Sequence, residues 1–490
     1  MANRPNLLVI MSDQHNPHVM GCAGHKVAQT PHLDALAREG VLFRQNHCSA
    51  PLCVPSRMGF MTGQHPSHIQ VWTNGCLLDA DVPTFAHSLS LAGYETVLCG
   101  RMHFVGRDQH RGFERRLVGD VSGAMRRTGH LFEGKIPQAA CGQQVAGIGP
   151  DAVGPGHSAY FVYDQHVTRR AVELIRERDR AGADRPLALV VGLLCPHNPF
   201  VCPKPLFDRY MDQVPEPDTP TGCPASLHPA LLKLWLARGI DRITPEMHRR
   251  ARAAYYGLVS SLDGFVGEIL AALRATAFGR DTAVCYTSDH GEMAGEHGMW
   301  WKENFYSGAV SVPMIWSHPD RFRKGATVDQ VTSLLDIAPT LLSLAGAQPL
   351  PNPGGHSLEP LLLPNADASA WPNEAFAETY AIHSDQCPAR MIRRGRWKLN
   401  VYHGYEAVQL FDLEADPGER RDLAANPAHA QVRDELIARV RQDWCPDVIE
   451  RIVATHRVGR GITRQWRQKV KVGESEVWTP PEHRNVFPEK

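Results

Sequence analysis

The stretch Pro51-Leu52-Cys53-Val54-Pro55-Ser56-Arg57, running on through Met58 to Thr62-Gly63, brings a thiol, a hydroxyl and a guanidinium close together along the chain. Pro55 suits an early helical position, Ser56 a cap and Thr62-Gly63 a helix end, so the segment reads as a bend entering a short helix. Cys53 then stands where unpaired backbone N–H groups and the positive end of a helix dipole favour an anion. Arg57, about one turn further on, can point the same way and offer a fork of donors to a tetrahedral oxyanion. By residue type alone this is an anion site. The competing reading is a free cysteine packed as a small hydrophobe beside a helix start.

Other polar groups stand at the ends of apolar runs. Asn6 to Met11 ends in Ser12-Asp13-Gln14-His15, and Glu95 to Gly100 leads to Arg101 and His103. Leu187 to Leu194 leads to Cys195-Pro196-His197, and Thr282 to Tyr286 leads to Ser288-Asp289-His290-Gly291-Glu292. Such runs read as central parallel strands buried on both faces, and in open α/β sheets ligands bind beyond the carboxyl ends of the strands. Taken singly, Asp13 reads as a cap or turn residue and each histidine as a core residue; the repetition is what points to chemistry. A hard divalent cation takes oxygen ligands, which Asp13, Asp289 and the Gln14 amide supply, with His290 as a less usual nitrogen donor. Calcium is the first choice of ion, with magnesium or manganese next. Its work would be to bind an ester's oxyanion and to stabilise a deprotonated nucleophile.

The elements that must position these groups alternate along the chain. Thr30 to Gly40 is an amphipathic helix, Val41 to Gln45 a strand, Val82 to Ala92 a helix, Val312 to Trp316 a strand and Leu334 to Ala345 a helix. Pro245 to Ala275 carries an apolar stripe from Tyr256 to Leu273, which is read as core. Met125 to Gly156 and Pro215 to Thr244 read as long loops over the site. The fold expected is α/β, a large mixed and mostly parallel sheet flanked by helices, over residues 1–365. After a Pro/Leu-rich connector, residues 366–445 are expected to form a smaller α+β subdomain: antiparallel strands at 391–402 and 409–412, then a helix from about His429 to Asp443. Residues 446–490 read as an arm that packs on a neighbour or a partner subunit, which would make the protein a homo-oligomer.

The 490 residues are 43% hydrophobic and 21% charged with zero formal net charge, so neither disorder nor a nucleic-acid or anionic-membrane partner is indicated. Twelve scattered cysteines lack zinc-site spacing and favour reduced, packed thiols. No apolar leader follows Met1, so a soluble cytoplasmic protein is expected.

Cys-x-Pro-Ser-Arg at 53–57 with Thr62-Gly63, together with Asp13-Gln14, Gly100-Arg-Met-His103, Pro196-His197, Ser288-Asp-His-Gly291 and Lys302, falls in the order of the type I sulfatases of the alkaline phosphatase superfamily. The chain resembles that family along nearly its whole length, and Leu52-Cys53, Asn74 and Gly100 to Phe104 are most similar to its choline-sulfatase-like branch. The resemblance implies an alkaline phosphatase-like fold and a Cys53 oxidised to formylglycine by a formylglycine-generating or equivalent maturation enzyme. It further implies a metal held by Asp13, Gln14, residue 53, Asp289 and His290. A hydrated aldehyde suits that ion better than a soft thiolate does. In the implied reaction one of its hydroxyls attacks sulfur while Arg57, Arg101 and Lys302 hold the sulfate oxygens; His197, helped by Lys302, protonates the leaving alcohol. His103 then takes the proton from the remaining hydroxyl, and the covalent sulfo-enzyme expels sulfate. The family usually has Lys where Arg101 stands. Asn74 and Glu378 are the candidate substrate-binding counterparts, but no Trp in 125–156 and no Tyr after Glu482 completes a choline cage, so an aryl, alkyl, choline-like or sugar sulfate is expected. The alternatives are a phosphonate monoester or phosphodiester hydrolase on the same scaffold, and a non-catalytic metal-binding protein whose Cys53 is never converted.

Overall fold

The computed structural model describes residues 4–106, 108–120, 142–182, 184–215, 227–380 and 387–470. Strands β1 (Asn6–Asp13), β2 (Val41–Phe43), β3 (Glu95–Gly100), β4 (Arg115–Val118), β5 (Leu187–Pro196), β6 (Thr282–Ser288), β7 (Met314–Ser317) and β8 (Ala326–Val328) form one eight-stranded sheet. Its order is β8-β2-β7-β6-β1-β5-β3-β4, and every neighbouring pair is parallel except where β7 runs against β2 and β6. This is the mixed, mostly parallel α/β sheet expected from the sequence. The four apolar runs take adjacent central places, β6-β1-β5-β3, and β5 is buried along its whole length. Burial on both faces is why these strands read as continuous rather than alternating hydrophobic runs.

Register decides where the chemistry lies. Ser12 pairs with Ser288, Gly100 with Gly192, and Asp13 with Pro196, so Asp13, Asp289, Arg101 and His197 all leave the sheet at one edge. Helices flank it: α1 (Pro31–Glu39), α2 (Cys53–Thr62), α3 (Ala159–Ala181) and α4 (Pro245–Arg274). Helices α3 and α4 pack on each other and on β5, while α2 packs with Phe85–Leu91 and Ile337–Ala345. The stripe from Tyr256 to Leu273 is buried. Helix α4 is long and apolar enough to cross a membrane, but 72% of its most apolar window is buried inside the molecule, as in a core helix.

A second sheet, β9 (Glu374–Thr379), β10 (Ala389–Arg394), β11 (Trp397–Tyr402) and β12 (Gln409–Asp412), is antiparallel in that order. Helix Ala430–Arg441 lies on β10 and β11, and Phe376, Ile392, Leu399, Leu410, Leu436 and Val440 belong to a core distinct from that of the large sheet. Strand β9 is not announced by its sequence: Ala and Glu have weak β preference, and pairing with β10 overrides it.

Three expectations need correction or limits. The arm at 446–490 begins as one helix, α5 (Pro446–Val470): Ile449 and Val453 join the second core, while Val458, Ile462, Trp466 and Val470 recur every four residues on an exposed face. Residues 471–490 lie outside the described residues. Within Pro215 to Thr244, the described part is not loop but helix Pro229–Ala237 followed by a turn at Ile240–Arg242, with Leu231, Leu234 and Trp235 buried; residues 216–226 lie outside the described residues. Of Met125 to Gly156, residues 125–141 are likewise outside, and Gly154–Pro155 pairs with Val201–Cys202.

Two glycines let β3 and β5 approach closely at the site's edge. A Cβ on Gly192 would lie 1.8 Å from the Arg101 carbonyl oxygen, and one on Gly100, whose φ is +98°, would lie 2.3 Å from the Gly192 oxygen. Both contacts are with backbone, which cannot yield cheaply. Gly192→Ala is therefore expected to lower unfolding free energy by about 3 kcal/mol in urea titrations. A loss below about 0.5 kcal/mol, the range of an ordinary surface substitution, would contradict the close approach.

Candidate active site

Helix α2 begins at Cys53 after an extended Leu52 and ends at Gly63 in the left-handed conformation, and all ten of its residues are buried. Pro55 lies in the first turn, where a missing N–H costs nothing. Ser56 is not the cap that its type suggested: it sits inside the helix and its hydroxyl donates to the Asp289 carbonyl at 2.5 Å. The capping contact comes from Asn74, whose Oδ1 accepts from Val54 N at 2.9 Å. That contact orients the helix and leaves Cys53 at its first position.

Asp13, Cys53, Asp289 and His290 are buried, and one ligand atom from each lies within 4.8 Å of all the others. Each carboxylate is divided between two tasks. Asp13 Oδ2 accepts from Arg57 Nη2 at 3.0 Å and Arg101 Nε at 2.7 Å, and Asp289 Oδ2 accepts from Arg57 Nε at 2.8 Å. The Oδ1 atoms are turned the other way, each 3.6 Å from His290 Nε2. His290 Nδ1 donates to the Gly291 carbonyl at 3.0 Å, which leaves Nε2 as the nitrogen turned toward the cluster. Burial pushes Asp13 toward the neutral acid, but Arg101, His197, Arg57 and Lys302 outweigh it and hold the carboxyl well below the usual range.

Cys53 Sγ lies 3.2 Å from His290 Nε2, 3.9 Å from Asp13 Oδ1 and 3.4 Å from Lys302 Nζ. Burial and Asp13 raise its thiol pKa, yet Lys302 and His290 bring it below the ordinary value. Gln14, with φ of +70°, is held by its main chain: its N–H donates to Asp289 Oδ1 at 3.1 Å and its carbonyl accepts from the Tyr255 hydroxyl at 2.9 Å. Its amide oxygen accepts from Lys302 Nζ at 2.6 Å. Thus the metal candidates Asp13, Gln14, Cys53, Asp289 and His290 are gathered in one place.

The remaining site residues divide by what they touch. Arg57 was expected on the sulfate oxygens; instead its Nε and Nη2 meet the two carboxylates and its Nη1 donates to the Arg101 carbonyl at 3.0 Å. Its place is behind the carboxylates. Arg101 donates from Nη2 to His103 Nδ1 at 2.8 Å and lies 3.5 Å from Asp120. An arginine can only donate, so His103 Nδ1 is an acceptor, and the neutral ring carries its proton on Nε2. That tautomer presents a donor where the expected role required a base. His197 Nδ1 donates to the Asn198 carbonyl at 2.5 Å; burial first, then Lys302 and Arg101, hold its pKa well below the ordinary imidazole range.

The two substrate-binding candidates serve other partners. Asn74 caps α2, as above. Glu378 is buried with its carboxylate occupied by Ser67 N at 2.8 Å, Ser67 Oγ at 3.0 Å and Arg390 Nε at 3.3 Å. Sequence reasoning missed Asp120, which accepts from His103 N at 2.6 Å, and Glu292, which grips Gln14. Glu292 carried a signal, since it closes the Ser-Asp-His-Gly-Glu run; Asp120 follows β4, a strand of four residues too short to announce itself.

Because Arg57 faces two fully buried carboxylates, removing it leaves Asp289 without its guanidinium and Asp13 with Arg101 alone. Arg57→Ala is expected to lose about 3–5 kcal/mol in denaturant unfolding, with part of that loss recovered when calcium is added. A variant as stable as wild type would show that the pairing carries no weight.

Comparison with known proteins gives the family. Residues 5–347 match the family model described as Sulfatase, and residues 295–444 match that of the C-terminal region of N-sulphoglucosamine sulphohydrolase. The chain is 35% identical to a choline-sulfatase of Rhizobium meliloti (strain 1021), over 86% of this chain and 83% of that protein. It is 28% identical to arylsulfatase K of Danio rerio, over 97% and 90%. Among solved structures, a phosphonate monoester hydrolase of Agrobacterium radiobacter superposes with a TM-score of 0.73 at 25% identity, covering 89% of this chain and 95% of that one. The family model over most of the chain and the 35% identical relative show that this chain belongs to the sulfatase family and is a sulfuric ester hydrolase.

Proposed function

We propose that the chain hydrolyses a small organic sulfate ester, aryl, alkyl, choline-like or sugar, at an oxygen nucleophile made from Cys53 by a formylglycine-generating or equivalent enzyme. A divalent cation, calcium before magnesium or manganese, would be held by Asp13, Gln14, Asp289, His290 and residue 53. The observation that carries this reading is the place of Cys53, with its sulfur inside the donor cluster rather than beside it. Two carboxylate oxygens, an amide oxygen and an imidazole nitrogen suit a hard ion. Only the soft thiol does not, and conversion to an oxygen group removes that mismatch. When bound, the cation supplies positive charge that draws electrons from the ester and favours an ionised nucleophile. The hydrated aldehyde supplies that nucleophile's oxygen.

The chain's own residues account for the rest. Lys302, 3.4 Å from Cys53 Sγ, holds the sulfate oxygens; Arg101, whose nitrogens meet Asp13, Asp120 and His103, adds positive charge behind them, and His103 adds its Nε2–H. Arg57 and Asp120 keep these groups in place. His197, anchored through Nδ1 on the Asn198 carbonyl, gives its proton from Nε2 to the departing alcohol.

Three measurements test this. A peptide containing residue 53 should be about 18 Da lighter than its cysteine form, the covalent change from thiol to aldehyde, and fully converted enzyme should cleave nitrophenyl sulfate faster than nitrophenyl phenylphosphonate. An unchanged mass together with no turnover would leave a non-catalytic protein, and the reverse order of rates would assign a phosphonate monoester hydrolase. The third concerns pH. Since His197 is held below its ordinary pKa, its acid form grows only as pH falls. The kcat/KM ratio of an unactivated alkyl sulfate to nitrophenyl sulfate is therefore expected to rise from pH 8 to pH 5.5 and to become flat in His197→Ala. A ratio independent of pH in the wild type would remove His197 from leaving-group protonation.

A further inference from the structure

Glu292 is fully buried, lies just beyond the Asp289-His290 pair and belongs to neither the metal cluster nor the groups that face the ester. Its Oε1 accepts from Ala294 N at 3.0 Å and from Trp301 N at 2.5 Å, and its Oε2 accepts from Gln14 Nε2. Three N–H donors converge on two oxygens, a setting that an ionised carboxylate satisfies and an amide of the same shape does not. On the far side of the Gln14 amide stands Lys302 Nζ, 2.6 Å from Oε1. A carboxylate can only accept and an ammonium can only donate, so the two partners independently fix the same orientation of the Gln14 amide, nitrogen toward Glu292 and oxygen toward Lys302 and residue 53. Asn198 Oδ1 also accepts from Gln14 Nε2, at 3.4 Å, so without Glu292 only that long contact would oppose a flip on the nitrogen side, and a flip would present N–H groups where a cation needs an oxygen.

We propose that Glu292 is a positioning residue for the metal site: it locks the Gln14 amide with its oxygen facing the cation and, through that oxygen, places the Lys302 ammonium beside residue 53. The proposal rests on the functional reading above, in which Gln14 is a ligand. Partners that orient ligands in this way typically change metal affinity by 10–100-fold when removed.

The test uses the full chain and calcium chloride alone, followed by titration calorimetry and by thermal melting with and without the ion. Glu292→Gln keeps the shape and the acceptor for Ala294 and Trp301, but sets its amide NH2 against that of Gln14. It is expected to bind calcium about 10–100-fold more weakly than wild type, with little change in melting temperature in the absence of calcium. Adding Gln14→Glu gives the new amide an acceptor and again turns an oxygen toward Lys302, so the double variant should recover at least about tenfold more than Gln14→Glu adds to the wild type, a coupling between touching residues that a merely structural role would not produce. Glu292→Asp keeps the charge but draws it back by one methylene; it too should bind calcium more weakly, and it serves where Glu292→Gln does not fold. Wild-type affinity in either single variant, or a double variant no better than Glu292→Gln, overturns the proposal. Failure of the wild type to bind calcium, and then magnesium and manganese chloride titrated in the same way, would instead overturn the metal reading itself.

Discussion

Two carboxylates with no solvent exposure, Asp13 and Asp289, stand side by side although 276 positions separate them in sequence. Buried like charges of this kind are unfavourable unless cations face them, and Arg57 is the group that faces both. It does so by giving Nε to one and Nη2 to the other while Nη1 ties down the backbone of Arg101. One oxygen of each carboxylate is thereby consumed and the other is turned toward Cys53 and His290. The same guanidinium that makes the pair tolerable thus also gives it a direction, and a helix start is the element able to bring residue 53 in at that point.

That arrangement can exist because the sheet is parallel at its centre. Strands β1 and β6 are hydrogen-bonded in a register that pairs Ser12 with Ser288, so the next residue of each strand emerges at the same height. A shift of one residue would send one carboxylate to the opposite face. Gly100 and Gly192 perform the corresponding service on the other side, letting β3 lie close enough to β5 for Arg101 to reach Asp13. Apolar packing sets the heights; polar chemistry occurs where the packing stops.

This division explains what could be read from the sequence. Strands β1, β3, β5 and β6 declared themselves because burial on both faces leaves a continuous apolar run, and the polar residues that end those runs were legible as a site for the same reason. The roles within the site were less legible, because role depends on orientation. Arg57 and Arg101 are the same residue type at similar distances from Asp13, yet the first is spent on carboxylates and the second also holds His103, whose tautomer follows from that bond. Nothing in the residue types at 101 and 103 specifies that Nδ1 will be the accepting nitrogen. The outer helix α5 was missed for a simpler reason: only its first turns touch a core, and an exposed helix writes a weak pattern.

Asn74 and Glu378 carry the argument one step further. Both are polar groups near the segment that carries residue 53, and a polar side chain near a candidate site invites a substrate role; their bonds show them to be architectural. Glu378 lies on the second sheet, accepts from Ser67 through its carboxylate and donates its own N–H to the Ser49 carbonyl at 2.8 Å. Four residues after Ser49 comes Cys53. On the other side of the site Glu419, buried and paired with Lys398 of β11, accepts from Ser307 N at 2.6 Å, five residues after Lys302. The smaller sheet therefore reaches the chain on both flanks of residue 53, one contact holding the approach to α2 and the other the segment that follows Lys302. Ion pairs buried in this way add little net stability over an apolar contact of the same size, but they fix register, and register is what a site assembled from distant strands requires. The second sheet acts as a buttress: it contributes none of the candidate ligands, yet it holds in place the two segments that carry residue 53 and its nearest ammonium.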